Sequence, residues 1–207
     1  EENAMKTLCI FDLDGTLTDT LSSIAFYCNS ALEKSGFSAI QEDNYRYFLG
    51  NGRDKLIHRI LKFHNADTDE NFKKVGADYD KLYESDVICK TTAFDGITDM
   101  LGRLKESGVC LAVLSNKPHN VTYAVVKAIF ADIFDIVYGQ RDNVKLKPDP
   151  EGAYIISDEA GVPCESCFFI GDTDNDILTA KNAGMKSIGV LWGFRDREEL
   201  SGAGADY

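Results

Sequence analysis

Residues 7–20 read TLCIFDLDGTLTDT. A short apolar run, 7–11, ends on two aspartates, Asp12 and Asp14, with Gly15 and Thr16 behind them. The run is continuous rather than alternating, which suits a strand covered on both faces, as in a parallel sheet. Two carboxylates at its end repel each other, so their placement calls for a compensating charge.

Four more runs of this kind follow: VCLAVL (109–114), DIVYG (135–139), CFFIG (167–171) and KSIGVLW (186–192). Helical patterns over 97–107, 120–130, 150–160 and 174–183 separate them, with Pro118 and Pro150 near the starts and Gly108, Gly161 and Gly184 past the ends. Alternating β and α elements predict an α/β fold built on a doubly wound, Rossmann-like parallel sheet. The rhythm breaks between Thr18 and about Val87, where no strand pattern is visible. Leu21, Ile24, Cys28 and Ala31 repeat at helical spacing, as do Leu56, Ile57, Ile60 and Leu61, and then Phe72, Val75, Tyr79 and Leu82. The expectation is a core domain over 5–18 and 89–207 with an all-helical cap domain, 19–88, inserted after the first strand. Gly50, Asn51 and Gly52 mark a loop in the insert. A helical lobe beside an α/β core shapes a pocket at the junction. The crossings near 18–20 and 87–93 are the expected hinges for closing it. Residues 1–4, ahead of Met5, are expected to be an expression remnant.

The 207 residues are 44% hydrophobic and 27% charged, ordinary for a globular chain able to bury a core. The formal charge of −12 argues against a broad nucleic-acid or anionic-membrane surface. No apolar run reaches the roughly 18–20 residues of a membrane span, and the acidic N-terminus lacks the apolar region of a secretory signal. Among six cysteines, Cys9 and Cys110 sit in apolar strand runs, and Cys164 and Cys167 form a single C-x-x-C with no second pair. These read as packing thiols rather than a zinc or redox site, and the expected compartment is the reducing cytoplasm.

Ligands of open parallel sheets bind outside the carboxyl ends of the strands. Four polar clusters fall at four such ends: Asp12, Asp14, Gly15 and Thr16; Ser115, Asn116 and Lys117; Lys145, Lys147, Pro148 and Asp149; and Gly171, Asp172, Thr173, Asp174, Asn175 and Asp176. Each has a plain alternative. Asp12 and Asp14 could serve a turn, 172–176 a helix N-terminus, Ser115 and Asn116 a cap, and Lys147 a solvated surface. Their coincidence at equivalent positions favours a shared site. Crowded carboxylates with room for water suit Mg²⁺, and the lysine with Ser and Asn opposite suits a phosphoryl group.

These segments, D-L-D-G-T at 12–16, V-L-S-N-K at 113–117, K-P-D-P at 147–150 and G-D-T-D-N-D at 171–176, resemble the four motifs of the haloacid dehalogenase-like hydrolases, in order and across nearly the whole chain. F-L-G-N-G-R-D-K-L-I at 48–57 is similar to the cap loop of phosphoglycolate phosphatases. The resemblance implies that Asp12 is the nucleophile, forming an aspartyl-phosphate, and that Asp14 is the general acid and base. It implies that Ser115, Asn116 and Lys147 hold the phosphoryl group, with Thr16 and Gly52 also at the substrate. Asp12, the Asp14 main-chain carbonyl and Asp172 would bind Mg²⁺ directly, and Asp176 through water. An ordinary aspartate is already ionised at neutral pH, so the nucleophile needs no base, whereas Asp14 needs a raised pKa from nearby carboxylates. Dehalogenases and phosphonate-cleaving members lack an aspartate at position 14, so its presence implies phosphoester chemistry.

Arg53 follows Gly52, and by resemblance to the G-x-x-R loop of β-phosphoglucomutase it is expected to meet a distal anion such as a substrate carboxylate. Lys55, His58, Arg59 and Lys62 read as a solvated basic helix face. His58, His64 and His119 read as surface or packing residues. Trp192 and Phe194 suit either the cleft or the core. The expected protein is a Mg²⁺-dependent phosphatase of a small phosphomonoester, phosphoglycolate-like, acting as a monomer or weak homodimer. A β-phosphoglucomutase-like phosphotransferase, a pyrophosphatase and a non-catalytic binding module are the alternatives.

Overall fold

A computed structural model describes residues 6–207. Residues 1–4 and Met5, the first residue of the expected core, lie outside the described residues. In chain order the elements are β1 (Leu8–Phe11), β2 (Thr18–Asp19), α1 (Leu21–Lys34), α2 (Arg53–Phe63), α3 (Asp69–Ser85), β3 (Thr92–Ala93), α4 (Ile97–Glu106), β4 (Cys110–Pro118), α5 (His119–Phe130), β5 (Ile136–Gln140), α6 (Glu151–Ala160), β6 (Cys167–Gly171), α7 (Asp174–Ala183), β7 (Lys186–Gly189) and α8 (Arg197–Gly202). A 3₁₀ turn, Glu42–Tyr47, precedes α2.

Among the described residues the main sheet is parallel and five-stranded, in the order β5-β4-β1-β6-β7. Strand order reverses on either side of β1, which places a crevice outside its carboxyl end. Leu8 pairs with Cys110 on one side and Cys167 on the other. Side chains alternate between faces. Leu8 and Ile10 pack with Ala112, Ala153 and Phe169, while Cys9 and Phe11 pack with Leu111, Val113 and Val125. Both sets are apolar because both faces are covered by helices. That removes the polar half of the usual alternation and explains why β1 reads as a continuous run.

The segment after β1 is helical as its spacing predicts. Ile24 and Cys28 of α1, Ile57 and Leu61 of α2 and Val75 of α3 are buried in the same apolar body as Phe11 and Val113. Fully burying a Leu or Ile is worth about 1.5–3 kcal/mol, so the insert is held chiefly by this shared core. The structure differs from the sequence expectation in three places. The crossings pair as a two-residue antiparallel ribbon, Thr18 with Ala93 and Asp19 with Thr92, too short for any periodicity to register. β4 runs on through Ser115, Asn116 and Lys117 to Pro118, with a register shift between Leu114 and Pro118. β7 stops at Gly189, leaving Trp192 and Phe194 in the following loop.

Candidate active site

Asp12 directly follows β1, and its N–H still donates to Ile170 O at 2.9 Å, so the ladder orients the residue whose carboxylate ends the strand. Asp172 follows β6 in the same way. Its Oδ1 accepts from the Thr16 hydroxyl and its Oδ2 from the Phe194 N–H, each at 2.8 Å. Asp176 lies in the first turn of α7. Its Oδ2 accepts from the Thr173 N–H (3.0 Å) and hydroxyl (2.8 Å) in a capping arrangement, and its Oδ1 faces Lys147 Nζ at 2.6 Å. The helix-N-terminus alternative for 172–176 is therefore realised, with Asp176 capping the helix through one oxygen while its other oxygen faces Lys147. Lys147 Nζ also lies 2.8 Å from Asp12 Oδ1.

Asp12, Asp172 and Asp176 are buried and offer ligand oxygens within 4.8 Å of one another. Burial pushes Asp12 up to about 7; Lys147 opposes this, and Asp176 and Asp14 add to it. Burial, then repulsion from Asp176 and Asp12, holds Asp172 well above the ordinary carboxylate range. Burial works against the charge on Lys147, but Asp12 and Asp176 outweigh it and hold its pKa above the ordinary value. With all three ionised, the carboxylates would exceed the one ammonium by two negative charges, which is why burial and mutual repulsion raise Asp12 and Asp172. An all-oxygen donor set with that surplus fits a divalent, oxygen-seeking ion such as Mg²⁺. Asp172 and Asp176 both have their two oxygens hydrogen-bonded, and Asp176 alone of the two also faces the Lys147 ammonium.

Opposite this cluster, Ser115 and Asn116 lie on the irregular end of β4. Ser115 Oγ accepts from the Lys117 N–H at 3.2 Å. Asn116 ties three segments together: Oδ1 accepts from the Lys147 N–H (2.8 Å), and Nδ2 donates to Lys147 O and Gly50 O (3.1 Å each). The Asp14 carboxylate stands outside the acidic trio. Its Oδ1 meets Lys117 Nζ at 2.7 Å, so its contact is a cation to which the sequence reading assigned no role. Burial disfavours charge on Lys117, yet Asp14 and Tyr83 outweigh it and hold its pKa above the usual value.

The insert closes over these groups. A cavity of about 60 Å³ lies between the two lobes, bordered by Asp12, Asp14, Gly52, Arg53, Ser115 and Lys147. The loop ahead of α2 is pinned from the core. Asn116 and Asn175 both donate to Gly50 O, at 3.1 and 3.2 Å. Arg195 donates to the carbonyls of Arg46 and Leu49, and Arg46 donates to Gly193 O at 3.1 Å. Arg59 is no free surface cation, because it holds Phe48 O and Asn51 Oδ1, each at 2.7 Å. Gly52, at φ +86°, turns the chain into α2 beside Asn116 O.

Arg53 borders the cavity, but its guanidinium is bidentate on Asp80 at 3.0 and 2.7 Å and also meets Asp54 at 2.8 Å. The Thr16 hydroxyl is on Asp172 rather than in the cavity. Trp192 Nε1 donates to Thr16 O at 3.0 Å, and Phe194 is buried, so both support the loop under Asp172. His119 accepts from the Gly139 N–H, and His58 pairs with Asp67 and stacks on Phe72. The six cysteines are free, and burial pushes the Cys167 thiol up to about 11, far from a reactive thiolate. Among the described residues, no helix is long and apolar enough to cross a membrane.

Sequence reasoning placed Lys117 in the strand-end cluster without giving it a role, and missed Arg46 and Arg195. Lys117 did carry a signal, as a lysine adjoining a strand-end Ser-Asn pair. The two arginines carried none, because their partners are backbone carbonyls.

Comparison with known proteins gives a family model described as haloacid dehalogenase-like hydrolase, matching residues 9–190. The phosphoglycolate phosphatase of Mannheimia succiniciproducens is 30% identical over 211 residues, covering 99% of this chain and 94% of its own. A crystal structure from Lactobacillus delbrueckii subsp. bulgaricus, provisionally named a phosphoglycolate phosphatase, superposes with a TM-score of 0.92 at 30% identity, covering 97% of this chain and 92% of the other. CbbY of Rhodobacter sphaeroides, in complex with phosphate, superposes at 0.78 with 26% identity, covering 98% and 92%.

Proposed function

The chain belongs to the haloacid dehalogenase-like hydrolases, and on that premise we propose that it is a Mg²⁺-dependent phosphatase cleaving a small, phosphoglycolate-like monoester through an aspartyl-phosphate on Asp12. The observation that carries this reading is the Lys147 ammonium shared by Asp12 and Asp176, with Asp14 on the cavity side of the same strand end. In the first step an Asp12 carboxylate oxygen bonds to phosphorus while the bond to the leaving alcohol oxygen breaks, and Asp14 gives that oxygen its proton. In the second step Asp14 takes a proton from water. The water oxygen bonds to phosphorus, the Asp12–phosphorus bond breaks, and inorganic phosphate leaves.

Asp12, the Asp14 carbonyl and Asp172 are the groups that would hold Mg²⁺, with Asp176 behind them. Bound there, the ion supplies positive charge against the phosphoryl oxygens. Lys147 offsets repulsion between Asp12 and the phosphate dianion. This matters because burial of Asp12 works against the ionised nucleophile. Ser115 and the Asn116 backbone hold phosphoryl oxygens, and the closed insert excludes bulk water. Lys117 occupies Asp14 Oδ1 and leaves Oδ2 for the proton.

The test is phosphate release from a panel of small phosphate esters and pyrophosphate, with and without Mg²⁺, beside Asp12→Asn. Mg²⁺-dependent release that disappears in the variant supports the proposal. Interconversion of glucose phosphates without net release would instead establish a phosphotransferase.

A further inference from the structure

Arg53, Lys117 and Lys147 are the cations at the cavity wall among the described residues, and two of them are already satisfied. Lys147 is shared by Asp12 and Asp176. Arg53 spends its fork on Asp80 and a further nitrogen on Asp54, and Gly76 of α3 makes the room, since a Cβ there would collide with the guanidinium. Lys117 is different. It meets one carboxylate oxygen, Asp14 Oδ1, and otherwise faces the Tyr83 ring, 4.8 Å from its centroid. An ammonium carries three donors, so Lys117 has hydrogen-bonding capacity left.

Beside it is a second unsatisfied donor. The Tyr83 hydroxyl is buried next to Lys117 and Ser23 and makes no hydrogen bond of normal geometry to any described residue. A buried polar group left unpaired costs about 1–3 kcal/mol, and such groups call for a partner. Lys117 and Tyr83 line one cleft of about 280 Å³, which shares Arg53, Tyr79, Lys117 and Pro118 with the wall of the Asp14 cavity. The cleft's acids do not oppose an anion equally. Asp80 is covered by Arg53, and Glu84 accepts from Asn120 Nδ2 at 3.3 Å.

We propose that Lys117 and the Tyr83 hydroxyl form an anion subsite that reads a carboxylate on the leaving group, so that the preferred esters are those of short 2-hydroxycarboxylates. This rests on the phosphatase reading, in which the leaving oxygen sits at Asp14. With Lys117 Nζ 2.7 Å from Asp14 Oδ1, a carboxylate one carbon from an ester oxygen held at Asp14 is within reach of the ammonium. Arg53 then acts as a brace that fixes α2 to α3 through Asp80, rather than as the reader of the substrate.

The experiment compares two esters that differ only at that group, 2-phosphoglycolate and 2-hydroxyethyl phosphate. The readout is the ratio of their kcat/KM values. Lys117→Met lowers the ratio about 10- to 100-fold, the loss of a charged hydrogen bond. It also slows both esters together through Asp14, an effect that the ratio cancels. Tyr83→Phe, which removes one hydroxyl and leaves the packing in place, lowers the ratio about three- to tenfold and carries the test should Lys117→Met fail to fold. Arg53→Met changes both esters in parallel and keeps the ratio within about twofold. A ratio that holds in the Lys117 and Tyr83 variants and collapses in Arg53→Met overturns the assignment. A ratio held in all three variants overturns it too. If the unmodified enzyme hydrolyses neither ester, the phosphatase reading falls and this inference falls with it. Hydrolysis of both esters with no preference for the carboxylate overturns the inference alone.

Discussion

Lys147 Nζ lies 2.8 Å from Asp12 Oδ1, and the same ammonium lies 2.6 Å from Asp176 Oδ1. One cation thus joins residues 164 positions apart in the chain, and it is nearly inaccessible to solvent. Lys147→Met leaves two buried carboxylates without their partner. Activity is expected to fall at least about 10²–10³-fold, and stability by about 3–5 kcal/mol at neutral pH. The stability loss should shrink at pH 5, where Asp12, pushed up to about 7, takes up a proton. Urea denaturation at pH 5 and 8 measures it; a loss equal at both pH values would mean that the pair contributes no charge compensation.

The raised pKa values of Asp12 and Asp172 set a pH dependence for metal binding. A carboxylate with a folded pKa above its unfolded one binds protons more tightly when folded. In the metal-free protein Asp12 therefore costs stability as pH rises from about 4 through 7, and Asp172 adds a cost of the same sign as it ionises. Mg²⁺ takes the ionised forms, so its stabilising effect should grow as pH rises over that interval. The shift in thermal midpoint on adding Mg²⁺ at pH 5, 6, 7 and 8 tests this. The acid limb of the activity profile should move to lower pH as Mg²⁺ is raised.

Gly15 has φ +90°, and a Cβ built there would run into the Asp172 carboxylate. Gly15→Ala forces either the backbone or Asp172 to move. The left-handed backbone alone costs about 1–2 kcal/mol, and displacing a carboxylate of the cluster is expected to weaken Mg²⁺ binding about 10- to 100-fold. Calorimetric titration of Mg²⁺ is the measurement. Unchanged affinity would place Asp172 outside the metal site.

Arg195 reaches from the core loop after β7 to the carbonyls of Arg46 and Leu49 ahead of α2. Arg195→Met releases one of the ties holding the insert over the cavity, while the Asn116 and Asn175 bonds to Gly50 remain. The expected result is a rise in KM of about three- to tenfold, with a smaller effect on kcat. Faster amide exchange in residues 46–52 would accompany it. A kcat loss with unchanged KM would assign Arg195 to loop support rather than to closure.

Much of the fold is legible in the chain. The apolar runs at 7–11, 135–139 and 167–171 and the helix over 174–183 appear in the structure within about a residue of where their patterns put them. The short ribbon of Thr18–Asp19 with Thr92–Ala93 is not legible, because two residues carry no periodicity and the pairing joins segments some 70 residues apart. Asp12, Asp172, Asp176 and Lys147 could be grouped from their strand-end positions, since a parallel sheet brings all such ends to one edge. Arg53 illustrates the limit. Its place beside Gly52 pointed to the cavity, and it borders the cavity, but Asp80 on the facing helix takes up its fork.

The α/β class, the helices that follow β1 and the acidic, lysine-bearing edge were thus readable from residue order, because periodicity and strand-end position are local properties that topology converts into proximity. Which charges are spent and which remain open depends on how the elements pack. Lys117 and Arg53 look alike as letters in a chain. One is left with donors free beside an unpaired tyrosine, and the other is saturated by Asp80. That difference comes from the packing of α3 against α2 and β4, which no residue spacing encodes.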